Sequence, residues 1–135
     1  MKPGSPEWLE ARKSLLTASD FAAACGLNPY CSRQELWSRK VNGESIPDNP
    51  AMEYGRLHEK DAISAYETIT GDLVAEGCLV MKDGFGCTPD GFVGDSGVIE
   101  AKCPPSQLVY DDIPIYYLPQ VVGQIELCGT SWCDF

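Results

Sequence analysis

The feature that most constrains this chain is a turn-and-strand pattern in its second half, where Thr88-Pro89-Asp90-Gly91 is followed nine residues later by Glu100-Ala101-Lys102. Phe92-Val93 and Val98-Ile99-Glu100-Ala101-Lys102 are β-prone, and Gly94-Asp95-Ser96-Gly97 between them is turn chemistry, so a tight hairpin or close strand reversal is predicted. Alternation along the second strand sends Glu100 and Lys102 to one face with Val98, and Ile99 and Ala101 to the other. Asp90, just before the first strand, reaches that same face. Two carboxylates and one amine are thereby brought together.

That residue set has a definite chemistry. Hard cations such as Mg²⁺ take oxygen ligands and keep several waters, so two carboxylates and a backbone carbonyl are a sufficient protein contribution. An ion so held polarises a phosphodiester and generates hydroxide from bound water, while a lysine positions or deprotonates that water and steadies charge in the transition state. Hydrolysis of a phosphodiester is the natural reading. The plain alternative is a surface hairpin in which Glu100 and Lys102 form an exposed ion pair and Asp90-Gly91 is an ordinary turn.

Read together, Thr88-Pro89-Asp90-Gly91, Ile99-Glu100-Ala101-Lys102-Cys103-Pro104 and Tyr117-Leu118-Pro119-Gln120-Val121 resemble the lambda-exonuclease-like (YqaJ-type alkaline exonuclease) branch of the PD-(D/E)xK nucleases. Trp8-x3-Arg12-x4-Thr17-Ala18-Ser19 and Gly55-Arg56-x2-Glu59 stand where that family carries its entry motif and its helix glutamate. The resemblance runs from about Trp8 to the last residue, with five motifs in order. It implies an α/β (α+β mixed), restriction-endonuclease-like core, with a small mixed sheet flanked by helices and without the usual C-terminal elements.

The implied activity is metal-dependent digestion of linear double-stranded DNA from a 5′-phosphorylated end, in recombination or repair. Carried over residue by residue, Asp90 and Glu100 are metal ligands, the Ala101 carbonyl is a third, and Lys102 is the water-positioning base. Glu59 joins the cluster directly or through a water, and Gln120 contacts it from a following helix. Arg12, Ser19 and Thr17 receive the 5′ phosphate. The implied cofactor is Mg²⁺, with Mn²⁺ as an alternative. The implied partners are duplex DNA ends, a single-strand annealing protein and a ring-shaped homotrimer, whose interface would draw on elements beyond Phe135. A related endonuclease, or a catalytically silent module that binds DNA ends or a recombinase, is the alternative function.

The residues support parts of this independently. Arg12 carries a planar fork of donors suited to phosphate, and a helix starting near Thr17-Ala18-Ser19-Asp20 presents free N–H groups to an anion. Equally, Ser19, or Thr17 with Asp20, serves simply as a cap for the helix that follows. Met52 to Tyr66 reads as an amphipathic helix with Leu57, Ala62, Ile63 and Tyr66 on its apolar side, which leaves Glu59 off that side. His58 is the only histidine, so no common zinc site can be built around it.

The 135 residues are predicted to form one domain, 1–135. Helices are expected at Glu7–Lys13, Ser19–Cys25, Arg33–Val41 and Val121–Cys128, with Gly129 as the stop of the last, a loop at Glu44–Pro50, and β segments from Leu73 to Phe92. Within these, Cys78–Met81 is a strand with Lys82-Asp83-Gly84 as its turn. Trp132 to Phe135 enters a further strand, whose outer edge would lie open.

Formal net charge is −10, which opposes phosphate binding at first sight. The distribution is uneven: residues 1–60 carry eight basic and eight acidic side chains, and 61–135 carry two basic and twelve acidic. The proposed DNA-end contacts lie in the balanced half. No apolar run approaches the length of a membrane span and the N-terminus lacks a signal-peptide core, so an intracellular, cytoplasmic protein is expected. Seven cysteines without a secretion signal argue against a disulfide framework. Cys25, Cys31, Cys128 and Cys133 raise the idea of an iron–sulfur cluster, but no tight Cys-x2-Cys spacing supports it, and small buried thiols are the expectation.

Overall fold

The computed structural model describes every residue, Met1–Phe135. Helix α1 (Pro6–Lys13) starts where Ser5 accepts a hydrogen bond from the Trp8 N–H and proline occupies the first turn. Strand β1 (Leu16–Thr17) leads through a 3-10 turn (Ala18–Asp20) into the short α2 (Phe21–Ala24), so the expected Ser19–Cys25 helix is split in two. The cause is local: the Asp20 carboxylate accepts from the Thr17 N–H at 3.0 Å and its hydroxyl at 2.7 Å, tightening this turn. Helix α3 (Arg33–Asn42) has a Ser32/Glu35 capping box and ends on Gly43 at φ 66°.

Helix α4 (Pro50–Thr70) is longer than expected, because Asn49 caps it, accepting from the Met52 N–H at 2.9 Å, and Pro50 belongs to its first turn rather than to the loop. Its orientation also differs from expectation. Leu57 is 68% exposed, whereas Gly55, Glu59, Ala62, Ile63 and Tyr66 are partly buried and form the inward stripe. Gly55 faces the Cys103 carbonyl, where an added Cβ would stand at an ordinary contact distance of 3.9 Å. Glu59, one turn on, is carried inward.

Two small sheets replace the single one expected. Strands β2 (Val74–Glu76), β3 (Val80–Lys82), β4 (Phe85–Cys87), β5 (Gly91–Val93), β6 (Gly97–Ile99) and β7 (Trp132–Asp134) are arranged with β1 as β1-β4-β3 and β2-β5-β6-β7. Both sheets are mixed: β1 runs parallel to β4 and β7 parallel to β6, while the other neighbours are antiparallel. The β3–β4 hairpin turns through Asp83 (φ 52°) and Gly84 (φ 84°), the two positive φ values of a primed two-residue turn.

The β5–β6 hairpin pairs Val93 with Gly97, so the turn shortens to Gly94-Asp95-Ser96. Gly97 is needed for packing, because a Cβ there would enter the Trp132 ring of β7. Helix α5 (Leu118–Cys128) has Pro119 in its first turn and stops at Gly129, φ 66°. It packs against the 3-10 turn, α2, β4 and β7, and approaches closely because Gly123 lies on the Phe21 ring. The core is Ala18, Ala22, Ala23, Cys87, Val98, Ile99 and Val121. Of the seven cysteines only Cys87 is buried, contrary to the expectation of buried thiols. It lies 3.5 Å, sulfur to sulfur, from the half-buried Cys128, while Cys25 and Cys78 are exposed. No helix is long and apolar enough to cross a membrane.

Candidate active site

The strand expected to run through Lys102 ends at Ile99. On the β7 side the ladder carries one bond further, the Glu100 N–H donating to the Asp134 carbonyl at 2.9 Å, whereas on the β5 side the Ala101 N–H donates to the Asp90 side chain, Oδ2, at 2.7 Å. A carboxylate occupying the place of a strand partner ends the ladder. The same bond sets Asp90, at the entrance of β5, against the Glu100-Ala101 backbone.

Glu100 is 4% exposed, so its charge must be met within the protein. Oε1 accepts from Lys102 Nζ at 2.5 Å and from Gln120 Nε2 at 2.6 Å, and Oε2 accepts from Gln124 Nε2 at 2.6 Å. Gln120 lies inside the first turn of α5 rather than ahead of it, so Gln120 and Gln124 are four residues apart on one helical face. Gln124, 1% exposed, was not anticipated. An amide one turn after Gln120, within the apolar run Val121-Val122-Gly123, is the signal that marks it.

Asp90 carries the clearest electrostatic signature. Burial, and next the charge of Glu100, push its carboxyl up to about 7, against the relief of the Ala101 N–H. Glu59 is also raised, by burial first and by Glu100 second. The Lys102 ammonium is disfavoured by burial, yet the adjacent Glu100 charge and hydrogen bond carry the net shift upward, so it stays protonated. Three carboxylates therefore gather around the Lys102 ammonium, with Lys60 acting on Glu59 as well.

Such a set of hard oxygen donors with surplus negative charge fits a Mg²⁺ or Mn²⁺ ion that retains waters. It is not a closed ligand cage: no group of three or more His, Cys, Asp or Glu side chains is gathered for a metal, and Glu100 is held by three donors. Replacing Asp90 by asparagine keeps an acceptor for the Ala101 N–H and removes a buried charge. In EDTA and at a pH above about 7, where the Asp90 carboxyl is ionised at a cost to the fold, Asp90→Asn is expected to raise Tm by about 3–6 °C, measured by calorimetry, and the gain should shrink as pH falls. A lower Tm would contradict this description of the charge.

A cleft of about 430 Å³ opens beside the cluster, lined by Ile63, Tyr66, Glu100, Lys102, Asp134 and Phe135. Tyr66 donates to Asp134 Oδ2 at 2.8 Å and ties α4 to β7. His58 packs on Tyr54, with ring centroids 4.2 Å apart.

The N-terminal residues form a second cluster. Arg12 Nη2 donates to Ser19 Oγ at 3.2 Å, its guanidinium lies 4.2 Å from the Trp8 ring centroid, and Ser19 and Thr17 hydroxyls share a 3.0 Å hydrogen bond. Ser19 is exposed. Thr17 is 2% exposed and donates to Asp20, so the cap is built and Thr17 sits beneath Ser19. Trp8 Nε1 donates to Thr88 Oγ1 at 2.9 Å, fastening this cluster to the segment that carries Asp90.

Comparisons with known proteins place the chain in a family. Residues 7–131 match the model of the YqaJ-like viral recombinase domain. A curated protein of African swine fever virus, in each of two isolates, is 25% identical over 156 residues, covering 91% of this chain and 45% of the viral protein. This chain thus spans about half the length of those relatives. The crystal structure of an alkaline exonuclease (LHK-Exo) from Laribacter hongkongensis superposes with a TM-score of 0.80 at 32% identity, over 96% of this chain and 71% of that one, and its complex with dAMP superposes equally well. The fold is therefore the mixed α/β, restriction-endonuclease-like PD-(D/E)xK fold, and the chain belongs to the family of YqaJ-like viral recombinase domains.

Proposed function

We propose that this chain is a divalent-metal-dependent exodeoxyribonuclease that hydrolyses linear double-stranded DNA from a 5′-phosphorylated end during recombination. The observation that carries the proposal is the buried Glu100, gripped by Lys102, Gln120 and Gln124 beside Asp90. A structural ion pair needs neither the second carboxylate nor two amides from another helix.

Asp90, Glu100 and the Ala101 carbonyl would hold the ion, with Glu59 reaching it directly or through water. When bound, Mg²⁺ or Mn²⁺ supplies a polarised phosphate and an acidified water. The protein's own residues do the rest. Lys102, a protonated amine beside Glu100, positions the attacking water and steadies charge on the phosphoryl oxygens. Gln120 and Gln124 keep the Glu100 carboxylate from rotating. Arg12 and Ser19, with Thr17 beneath, receive the terminal phosphate. The proposed setting is the cytoplasm, beside a single-strand annealing protein, with a homotrimer as the proposed assembly.

The 5′-end reading is tested at Arg12. Arg12→Ala is expected to slow digestion of 5′-phosphorylated linear duplex by about 10- to 100-fold, on the scale of a lost charge-assisted hydrogen bond, while 5′-hydroxyl ends change by little. Equal loss on both ends would remove the end-recognition role. Nicking of closed circles by the intact protein would favour the related endonuclease instead.

A further inference from the structure

A chain of aromatic rings leads away from Lys102. Its Nζ lies 5.0 Å from the Tyr117 ring centroid. Tyr117 is 4.7 Å from Tyr116, and Tyr116 is 6.4 Å from Tyr30 in an edge-to-face contact. Tyr117 is backed by Tyr110 and Phe135, at 6.2 Å and 5.5 Å. The outermost member, Tyr30, is 85% exposed, in a loop fixed by its own N–H donating to Asn28 Oδ1 at 2.8 Å. Three loop or helix-end tyrosines thus form a path from the reactive lysine to solvent, although burial alone gives Tyr30 no reason to be aromatic.

The charge distribution indicates what such a path would bind. Five of the ten basic side chains, Lys13, Lys40, Arg56, Lys82 and Lys102, are already paired with carboxylates. Asp111 and Asp112 follow directly on Tyr110. Phosphate binding draws on free Lys and Arg, which near this path are Arg33 and Arg39 beside the Tyr30 loop. Aromatic rings bind nucleobases by their faces, without regard to sequence and without any cation.

We propose that Tyr30, Tyr116 and Tyr117 form a stacking surface for unpaired nucleobases of the DNA strand that enters the site. The inference rests on reading the cluster of Asp90, Glu100 and Lys102 as the phosphodiester-cleaving centre.

The test is fluorescence anisotropy in EDTA with two labelled probes, a short 5′-phosphorylated oligothymidylate and an abasic strand of equal length, each confirmed intact on a gel. The full chain is expected to prefer the base-bearing strand. Tyr30→Ala, chosen because an exposed ring is removed without loss of core, and Tyr116→Ala are each expected to weaken that binding by about 5- to 150-fold. Binding of the abasic strand should stay unchanged, and Tyr30→Phe should restore the preference.

The proposal is overturned if wild-type protein binds both strands alike, if the alanine variants bind bases as well as wild type, or if they lose both strands equally. Its fate is separable from that of the nuclease reading. Base preference in a protein that releases no nucleotide in Mg²⁺ would leave the stacking surface standing and remove the catalytic assignment. Nucleotide release with undiminished base binding by the variants would do the reverse.

Discussion

Replacing Lys102 by alanine is expected to lower phosphodiester cleavage by about 10²- to 10⁴-fold, the range for losing a positioned proton-transfer or charge-stabilising group. The amine touches Glu100 Oε1 and stands over Tyr117. Its removal therefore takes away the cation that acts on Asp90, Glu100 and Glu59 alike. The fold should survive, because Gln120 and Gln124 still hold both Glu100 oxygens. Circular dichroism should be unchanged while single-turnover cleavage collapses and affinity for uncleaved DNA shifts only a few-fold. Cleavage within a few-fold of wild type would mean that Lys102 is a structural partner of Glu100 and nothing more.

The second large effect lies away from the charged residues. Gly77 is buried immediately after β2, and a Cβ there would overlap the carbonyl oxygen of Pro89. Backbone cannot swing aside as a side chain can, so Gly77→Ala must displace the Pro89-Asp90 peptide or β2 itself. A destabilisation of about 2–4 kcal/mol is expected, together with a loss of activity larger than the unfolded fraction explains, because Asp90 moves with Pro89. Glu76→Ala, one residue earlier and exposed, is the control and should change stability by less than about 0.5 kcal/mol. Denaturant titration and an activity assay at a temperature where both variants are folded measure the two parts. Wild-type stability for Gly77→Ala would show that this close approach is not maintained in solution.

Asp90, Glu100 and Lys102 were legible because strand alternation and turn chemistry act over a few residues, and the structure brings the three together. The end of β6 was not legible, since it depends on the Asp90 carboxylate taking the Ala101 N–H that a neighbouring strand would otherwise bind. Hydropathy placed Leu57 on the inner face of α4 and Glu59 off it. The helix instead turns Gly55, Glu59, Ala62, Ile63 and Tyr66 inward, an orientation set by tertiary packing that hydropathy periodicity does not contain. Gln120 was singled out through the resemblance, but its alignment with Gln124 required the true start of α5 at Leu118. The contact of Gly77 with Pro89 and the path from Tyr117 to Tyr30 join segments far apart in the chain, and only the assembled fold contains them. Thr17 was legible both as a cap and as a phosphate contact; its burial and its bonds to Asp20 make the cap, while Ser19 is left at the surface with Arg12.

The most direct test of the central claim is release of acid-soluble nucleotides from 5′-phosphorylated linear duplex DNA, measured with Mg²⁺, with EDTA, and with Glu100→Gln protein in Mg²⁺, beside a closed circular duplex. The account requires release from the linear DNA only in Mg²⁺, none from the circle, and loss of release in the Glu100→Gln protein. Release that persists in EDTA or in the Glu100→Gln protein, or no release from any DNA by a protein shown to be folded, would contradict it.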